Sequence, residues 1–166
     1  MRNFIIIALS ATALSACVTQ VQDVAPVERV EPIEQVEAHP YLGVYAGTYT
    51  CALGENGITV SLDRAEENTG AAVLGQYFAD ARLWFYDTAG NAGHPSGAFN
   101  LSGILRGITL KVSPTEWISD VPRNWGAAGI SAEFFEEDGD VFLVGRPTGN
   151  GTEACEPFRL KRLQGF

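Results

Sequence analysis

The sequence predicts an all-β domain of about eight short antiparallel strands, folded as a closed barrel or a sandwich. The chain holds 18 glycines and 8 prolines in 166 residues, which favours many turns and little long helix. Hydrophobic residues make up 46% and aromatic residues 10% of the chain, which is enough for a folded core. Runs with a period of two recur at nearly even spacing between turn signals, as in barrels and sandwiches.

The first predicted hairpin lies at the start of this domain. Small and β-branched residues alternate with glycine and tyrosine over residues 41–51, and an alternating run returns at 58–63. Gly54-Glu55-Asn56-Gly57 supplies turn residues between the two runs, so we expect the runs to pair. Residues 64–70 are polar and predict a loop.

The middle of the domain predicts three more strands. Residues 71–87 are rich in aromatic side chains, which favours one long or kinked strand over a helical turn. A loop at 88–96 follows, with glycine, asparagine and proline. Residues 97–105 and 108–112 are predicted strands that a tight turn at Arg106-Gly107 connects.

The last third of the chain predicts one hairpin and a final strand. Residues 113–126 lack alternation and hold two prolines, so we expect an ordered loop or a single helical turn. Residues 130–135 and 141–144 form a predicted hairpin around an acidic tip. The final predicted strand covers residues 155–163.

The amino terminus predicts export. A positively charged start and an apolar segment shorter than the about 20 residues of a membrane span indicate a signal peptide at residues 1–16. The segment ends in Leu14-Ser15-Ala16-Cys17, which resembles the lipobox of bacterial lipoproteins. The resemblance implies cleavage before Cys17 and acylation of both its thiol and its freed amine, which is enough for stable anchoring. A plain secretory signal with an accidental cysteine is the alternative.

The same resemblance bears on which membrane holds the protein. In lipoproteins, an aspartate directly after the acylated cysteine commonly causes retention in the inner membrane, and Val18 stands there in this chain. The resemblance therefore implies an outer-membrane protein that faces the periplasm.

Residues 17–40 predict a lipidated, acidic and flexible tether ahead of a domain at 41–166. From residue 18 onward the tether has three prolines, five acidic residues and one basic residue, and it lacks aromatic side chains. Apolar residues recur every three positions from Val27 to Val36, so a short helix is the alternative, although Pro32 disfavours it.

Charge restricts the partners. Loss of Arg2 with the signal peptide changes the formal net charge from −9 to −10. Such a surface repels nucleic acid and anionic lipid headgroups, so we expect no nucleic-acid partner and membrane attachment through the acyl chains alone.

Cys51 and Cys155 are the remaining cysteines. In an exported chain, two cysteines beyond the lipidated one most simply pair, which predicts a disulfide that makes the first and last strands neighbours. Two free buried thiols are the alternative.

Most of the predicted domain also resembles small uncharacterised β domains of exported proteins from Gram-negative bacteria. Three motifs carry this resemblance: Gly47-Thr48-Tyr49-Thr50-Cys51, Pro114-Thr115-Glu116-Trp117 and Cys155-Glu156-Pro157-Phe158-Arg159-Leu160. The resemblance supports the β fold and implies no activity.

Catalytic and metal-binding classes find little support in the sequence. His39 and His94 are not at ligand spacing, and residues 136–140 lack the alternation and closing glutamate of a calcium loop, so we expect no metal and no cofactor. The sequence lacks the Gly-x-Ser-x-Gly motif of a nucleophile elbow. Glu116 and Glu133 could be the carboxylates of a glycosidase, but an assignment as solvent-facing acids is the simpler interpretation. We expect the protein not to be an enzyme.

Trp84, Trp117 and Trp125 are the candidate binding residues, because the aromatic content exceeds what one face of a small barrel needs. A plug at one barrel end is the alternative for Trp117 and Trp125. The sequence thus predicts a non-catalytic binding or structural module of the cell envelope, with an envelope protein as a candidate partner. The alternatives are inhibition of a basic wall-degrading enzyme such as lysozyme, which the acidic charge suggests, and carriage of a small apolar ligand.

Overall fold

The computed structural model describes residues 39–70, 74–122 and 125–166. The predicted signal peptide, Cys17 and most of the predicted tether lie outside these residues. The described part contains eight antiparallel strands, in which each strand pairs with its neighbours in sequence and β1 pairs with β8. The prediction of an all-β domain is confirmed, and of the two predicted architectures the closed barrel is the one observed. The strands are β1 (Gly43–Cys51), β2 (Gly54–Glu67), β3 (Gln76–Tyr86), β4 (Gly97–Arg106), β5 (Thr109–Trp117), β6 (Gly129–Glu137), β7 (Asp140–Thr148) and β8 (Phe158–Gly165).

The seam between β1 and β8 has two halves. Backbone pairing joins Gly43–Ala46 of β1 to β8 and ends at the pair Ala46 and Lys161. Beyond this point the Cys51–Cys155 disulfide holds the seam, helped by a 2.8 Å hydrogen bond from the Glu156 backbone N–H to the Thr50 carbonyl. The predicted disulfide is therefore present. Cys155 lies in the loop before β8 rather than in the last strand itself.

The barrel interior is filled mainly by aliphatic and aromatic side chains. Alternate residues of each strand point inward, so an apolar core forms where the eight strands face one another. Among the largest fully buried side chains are Tyr45, Ile58, Leu62, Leu101, Leu105, Leu110, Leu143, Phe158 and Leu160.

The two ends of the barrel differ. We call the end that carries the β1–β2, β3–β4, β5–β6 and β7–β8 connections the open end, and the opposite one the plugged end. At the plugged end, the Tyr41 ring stacks on Phe134 with centroids 4.3 Å apart, and the Tyr45 hydroxyl donates to the Tyr41 carbonyl at 2.8 Å. Arg162 holds the preceding residue by donating to the Pro40 carbonyl at 2.8 Å. The described part of the chain thus starts at the plugged end.

Strand β2 is longer than predicted at both ends. The turn lies at Ala52 and Leu53, and residues 54–57 are already strand, because Gly54 adopts a φ of +105° directly after the turn. Residues 64–67, predicted as loop, also belong to the strand. Their polar side chains point to solvent, where Arg64 forms ion pairs with Glu66 and Asp80.

Strand β5 extends into a segment predicted as loop or helical turn. Residues 113–117 pair with β4, with a shift of register next to Leu101. Pro114 is tolerated because β5 pairs with β6 only over residues 109–112, so its missing N–H leaves no gap in the ladder with β6. The loss of alternation near Pro114 therefore reflects an irregular part of a strand, and the prediction of a loop or helical turn was wrong for residues 113–117.

The remaining strands agree with the predicted pattern. The predicted strand over 71–87 is observed as β3, with residues 71–73 outside the described part. The predicted turn after β4 is present, with Gly107 at a φ of +56°. The β6–β7 turn places Asp138 and Gly139 at φ values of +53° and +82°, as Asp-Gly hairpins favour.

Candidate binding cavity at the open end

A cavity of about 260 Å³ occupies the open end of the barrel. Its floor consists of inward-facing strand residues such as Ile58, Leu83 and Phe158, and its mouth lies between the β5–β6 and β7–β8 loops. An eight-stranded barrel is just wide enough to be filled by side chains or to hold one small ligand. In this chain the plugged end is filled and the open end is hollow.

Small residues leave this space empty. The segment Gly126-Ala127-Ala128-Gly129 enters β6 at the mouth, and three of its four residues line the cavity. At the plugged end the corresponding space is taken by rings, among them Tyr41 and Phe134. Two features therefore coincide with the hollow: small side chains at the entry to β6, and backbone ladders that end early there, since β1 is unpaired with β8 beyond Ala46 and β5 is unpaired with β6 beyond Val112.

Aromatic rings form one wall of the cavity. Trp125 stacks on Phe85 with centroids 4.7 Å apart and planes 4° from parallel. Trp117 supports this pair from behind, edge to face with Phe85 at 6.2 Å and with Phe99 at 5.1 Å. Phe85, Phe99 and Trp125 all line the cavity. A flat wall of this kind suits an apolar or ring-shaped ligand.

The described lining has four polar side chains with an amide or hydroxyl group, of which Asn56 and Tyr49 lie on β2 and β1 and the other two in the β7–β8 loop. Asn56 is 1% exposed, and its Nδ2 donates to the Gly54 carbonyl at 3.2 Å, whereas its Oδ1 has no hydrogen-bond partner among the described residues. Tyr49 also lines the cavity, and burial raises the pKa of its phenol, so this group stays neutral at physiological pH.

The described lining carries no charged side chain. Carboxylates, amines and imidazoles are thus missing from the described wall, and these are the groups that general acid–base chemistry uses most often. What the arrangement provides is burial of apolar surface, stacking and a small number of hydrogen bonds. These are the features of a binding pocket.

The disulfide is part of this site. Cys51 and Cys155 both line the cavity, and their bond fixes the β7–β8 loop against the end of β1. Asn150, Gly151 and Thr152 of that loop form the mouth, where Thr152 Oγ1 donates to the Gly149 carbonyl at 2.7 Å. The disulfide therefore positions one side of the mouth as well as closing the barrel.

The three predicted tryptophans do not form one site. Trp117 and Trp125 meet around Phe85, as described above, and only Trp125 lines the cavity. Trp84 lies on the outer wall of β3, half-buried, with the Arg82 guanidinium 5.7 Å from its ring centroid. Because Leu83 and Phe85 point inward, the strand alternation directs Trp84 outward.

The acidic residues considered for catalysis or calcium binding lie on the surface. Glu116 and Glu133 are exposed. At the β6–β7 tip, Glu137 pairs with Arg159, and Asp140 pairs with Lys161 at 2.7 Å. No group of three or more metal-ligating side chains occurs within residues 39–70, 74–122 and 125–166.

Asn56 is the site residue that the sequence interpretation missed. The flanking glycines predict a turn at this position, whereas the structure has Asn56 as a buried strand residue of β2. The signal in the sequence was its place two residues before Ile58, on the same face of a strand as an apolar run.

The chain matches no protein-family model and no curated protein. In the described part of the chain, no helix has both the length and the apolar character to cross a membrane.

Proposed function

We propose that the protein is a non-catalytic binding module of the bacterial cell envelope, anchored by acyl chains on Cys17, and that the cavity at the open end is its binding site. The observation that carries the binding proposal is a cavity of about 260 Å³ with an aromatic wall and an uncharged described lining. The anchor and the outer-membrane location rest on the lipobox resemblance of residues 14–17.

The binding proposal is tested by filling the cavity. Ala128 is half-buried in the lining, so Ala128→Phe places a ring inside the cavity, whereas Ala92 is exposed in the β3–β4 loop and Ala92→Phe is the matched control. The full-length protein is purified in both variant forms and as wild type, and binding of phenol, toluene and anisole is measured by calorimetry.

We expect the wild type to bind at least one of these probes with a Kd between about 10 μM and 1 mM, the range set by the small number of ligand atoms. Ala128→Phe should weaken this binding at least about tenfold, and Ala92→Phe should leave it unchanged. Absence of binding in all three proteins, or equal binding by all three, would refute the cavity as the binding site.

The anchor is tested separately by fractionation. The wild type is expected in the outer-membrane fraction, and Cys17→Ser is expected as a soluble or signal-retaining form with the domain folded. Recovery of the wild type solely with the inner membrane would contradict the proposed location. Intact mass without acyl chains would contradict the anchor.

A further inference from the structure

The plugged end of the barrel carries large apolar side chains that are exposed to solvent. Leu74 lies in the β2–β3 connection, Phe78 on the outer face of β3 and Ile108 in the β4–β5 turn. Their exposed fractions are 92%, 51% and 45%. Single exposed apolar residues are common on protein surfaces, whereas a contiguous group of them indicates an interaction site. Whether the three are neighbours is therefore decisive.

The strand pairing places these three side chains next to one another. Gln76 of β3 pairs directly with Arg106 of β4, so the connections that hold Leu74 and Ile108 begin at adjacent positions of the rim. Phe78 lies two residues further along the outer face of β3. Neighbouring strands are about 4.8 Å apart, and residues two apart on one strand are separated by about 7 Å. We call the group of Leu74, Phe78 and Ile108 the rim patch.

The rim patch projects from the barrel. A Cβ added at Gly75 or at Gly107 would meet no atom of the described residues within 4 Å beyond its chain neighbours, so both connections stand clear of the wall. The Phe134 N–H donates to the Ile108 carbonyl at 2.9 Å and fixes the β4–β5 turn in this position. A small ligand requires a concave site that buries most of its surface. Projecting apolar side chains instead suit the interface of a lipid bilayer, which deforms around them.

The charges around the rim patch nearly cancel, although the whole chain has a net charge of −9. Arg106 and Lys111 are exposed beside the patch, and neither forms an ion pair with another described residue. Arg64 forms ion pairs with Glu66 and Asp80 on the other side of the patch. Two further acids lie on this side of the rim, Glu67 on β2 and Glu133 on β6. The repulsion of lipid headgroups that the net charge predicts is thus weak at this place.

The chain outside the structure leads to the same end of the barrel. The described residues begin at His39, and Arg162 binds the Pro40 carbonyl at the plugged end at 2.8 Å. Cys17 lies 22 positions before His39, and a coil of that length spans about 25 Å. An acylated Cys17 would therefore hold the rim patch near the bilayer at an effective concentration on the order of millimolar. A contact of low intrinsic affinity is sufficient under these conditions.

We infer that the rim patch is a membrane-contacting surface, which inserts its three apolar side chains at the level of the lipid headgroups. Arg106 and Lys111 then lie beside the lipid phosphates. The inference rests on the anchor in the proposed function, because the tether brings the patch to the bilayer. It replaces the expectation of attachment through the acyl chains alone with two contacts, of which the second orients the barrel with its mouth away from the membrane.

The test measures lipid binding without the anchor. The chain from residue 17 onward is produced with Cys17→Ser, so that neither a signal peptide nor an acyl chain contributes. Phe78→Thr with Ile108→Thr removes two side chains of the rim patch and keeps β-branched residues at both positions. The matched control is Ile118→Thr with Val121→Thr in the β5–β6 connection at the open end, where the two side chains are 46% and 54% exposed.

Binding is measured by co-sedimentation with vesicles of phosphatidylethanolamine and phosphatidylglycerol in a ratio of about three to one, at up to about 10 mM lipid, the order of the effective concentration that a short tether imposes. We expect the Cys17→Ser protein to bind. The rim-patch double variant should bind at least about tenfold more weakly, because it buries less apolar surface, and the control should bind within about twofold of the parent. No binding by the parent, or equal losses in both double variants, would overturn the inference.

Failure of this inference is distinguishable from failure of the proposed function. Intact mass tests the anchor and small aromatic probes test the cavity, and the vesicle assay uses neither. Sedimentation velocity in the absence of lipid examines a second copy of the chain as the occupant. A dimer that Phe78→Thr with Ile108→Thr dissociates, in a protein that does not bind vesicles, would assign the rim patch to contact between copies and refute the membrane contact.

Discussion

Removal of the Cys51–Cys155 disulfide should lower the stability of the barrel by several kcal/mol. The two cysteines are 104 positions apart, so the bond closes a loop that includes six of the eight strands, β2 to β7. In the chain-entropy model a loop of this length stabilises the folded state by about 4.7 kcal/mol, through the restriction of the unfolded chain. Losses of about 2–5 kcal/mol are typical when native disulfides are removed from small exported domains. We therefore expect a decrease of about 3–5 kcal/mol.

The barrel should still close in this variant. Backbone pairing of β1 with β8 over Gly43–Ala46 is independent of the disulfide and lies in the half of the seam nearer the plugged end. The bond acts on the other half of the seam, where it holds the β7–β8 loop beside the end of β1. The expected result is a folded protein of lower stability with a loosened mouth, so probe binding should weaken as well.

The assay is equilibrium unfolding in urea, followed by tryptophan fluorescence, for the wild type and for Cys155→Ser. The double variant Cys51→Ser with Cys155→Ser controls for the free thiol, and it should be as stable as the single variant. A loss below about 1 kcal/mol would refute the reasoning, because the loop would then restrict the unfolded chain far less than its length requires. Alkylation of both Cys51 and Cys155 in the denatured, unreduced wild type would refute the bond itself.

Two further predictions concern the barrel wall and the plugged end. A Cβ at Gly103 would lie 2.1 Å from the Lys111 carbonyl oxygen, so Gly103→Ala should lower the free energy of unfolding in urea by about 2–3 kcal/mol. The control Gly90→Ala, whose nearest new contact is at 3.9 Å, should change it by no more than about 0.5 kcal/mol. Equal effects of the two variants would contradict the close approach of β4 and β5. Burial lowers the pKa of His39 below its usual 6.5, so the unfolded state binds the proton more readily than the folded state does. The contribution of neutral His39 to stability should therefore be complete above about pH 6.5 and decline as the pH falls below that value. Stability measured from pH 7.5 to 5.0 should therefore fall less in His39→Phe than in the wild type, and parallel curves would exclude His39 as the cause.

The sequence predicts strands where alternation and turn chemistry agree. The β4–β5 and β6–β7 hairpins were predicted because Gly107 and the Asp138-Gly139 pair provide positive φ at the turns. The disulfide was predicted from the number of cysteines together with the predicted export. Predictions failed where one local signal was ambiguous. Gly54 and Gly57 indicated a turn that lies two residues earlier. Pro114 indicated the end of a strand, but β5 continues through it because only the edge toward β4 is paired there.

The cavity was beyond prediction for a different reason. Its volume depends on which side chains face one another across the barrel, and this requires the register of all eight strands. Trp84 shows the difficulty, since residues 83–86 are all apolar or aromatic and alternation alone does not reveal which pair points inward. Once Leu83 and Phe85 are known to be buried, Trp84 must lie outside.

The two ends of the barrel have different roles in the proposed function. The described part of the chain begins at the plugged end, where Arg162 donates to the Pro40 carbonyl and the Tyr41 ring stacks on Phe134. These two rings fill space that would otherwise be a second hollow. The mouth of the cavity lies at the opposite end, and the disulfide shapes it. A tether that leads to an acylated Cys17 would therefore hold the domain by its filled end. On the proposed function, anchoring and ligand access would make no competing demands on the same surface, since each would use a different end of the barrel.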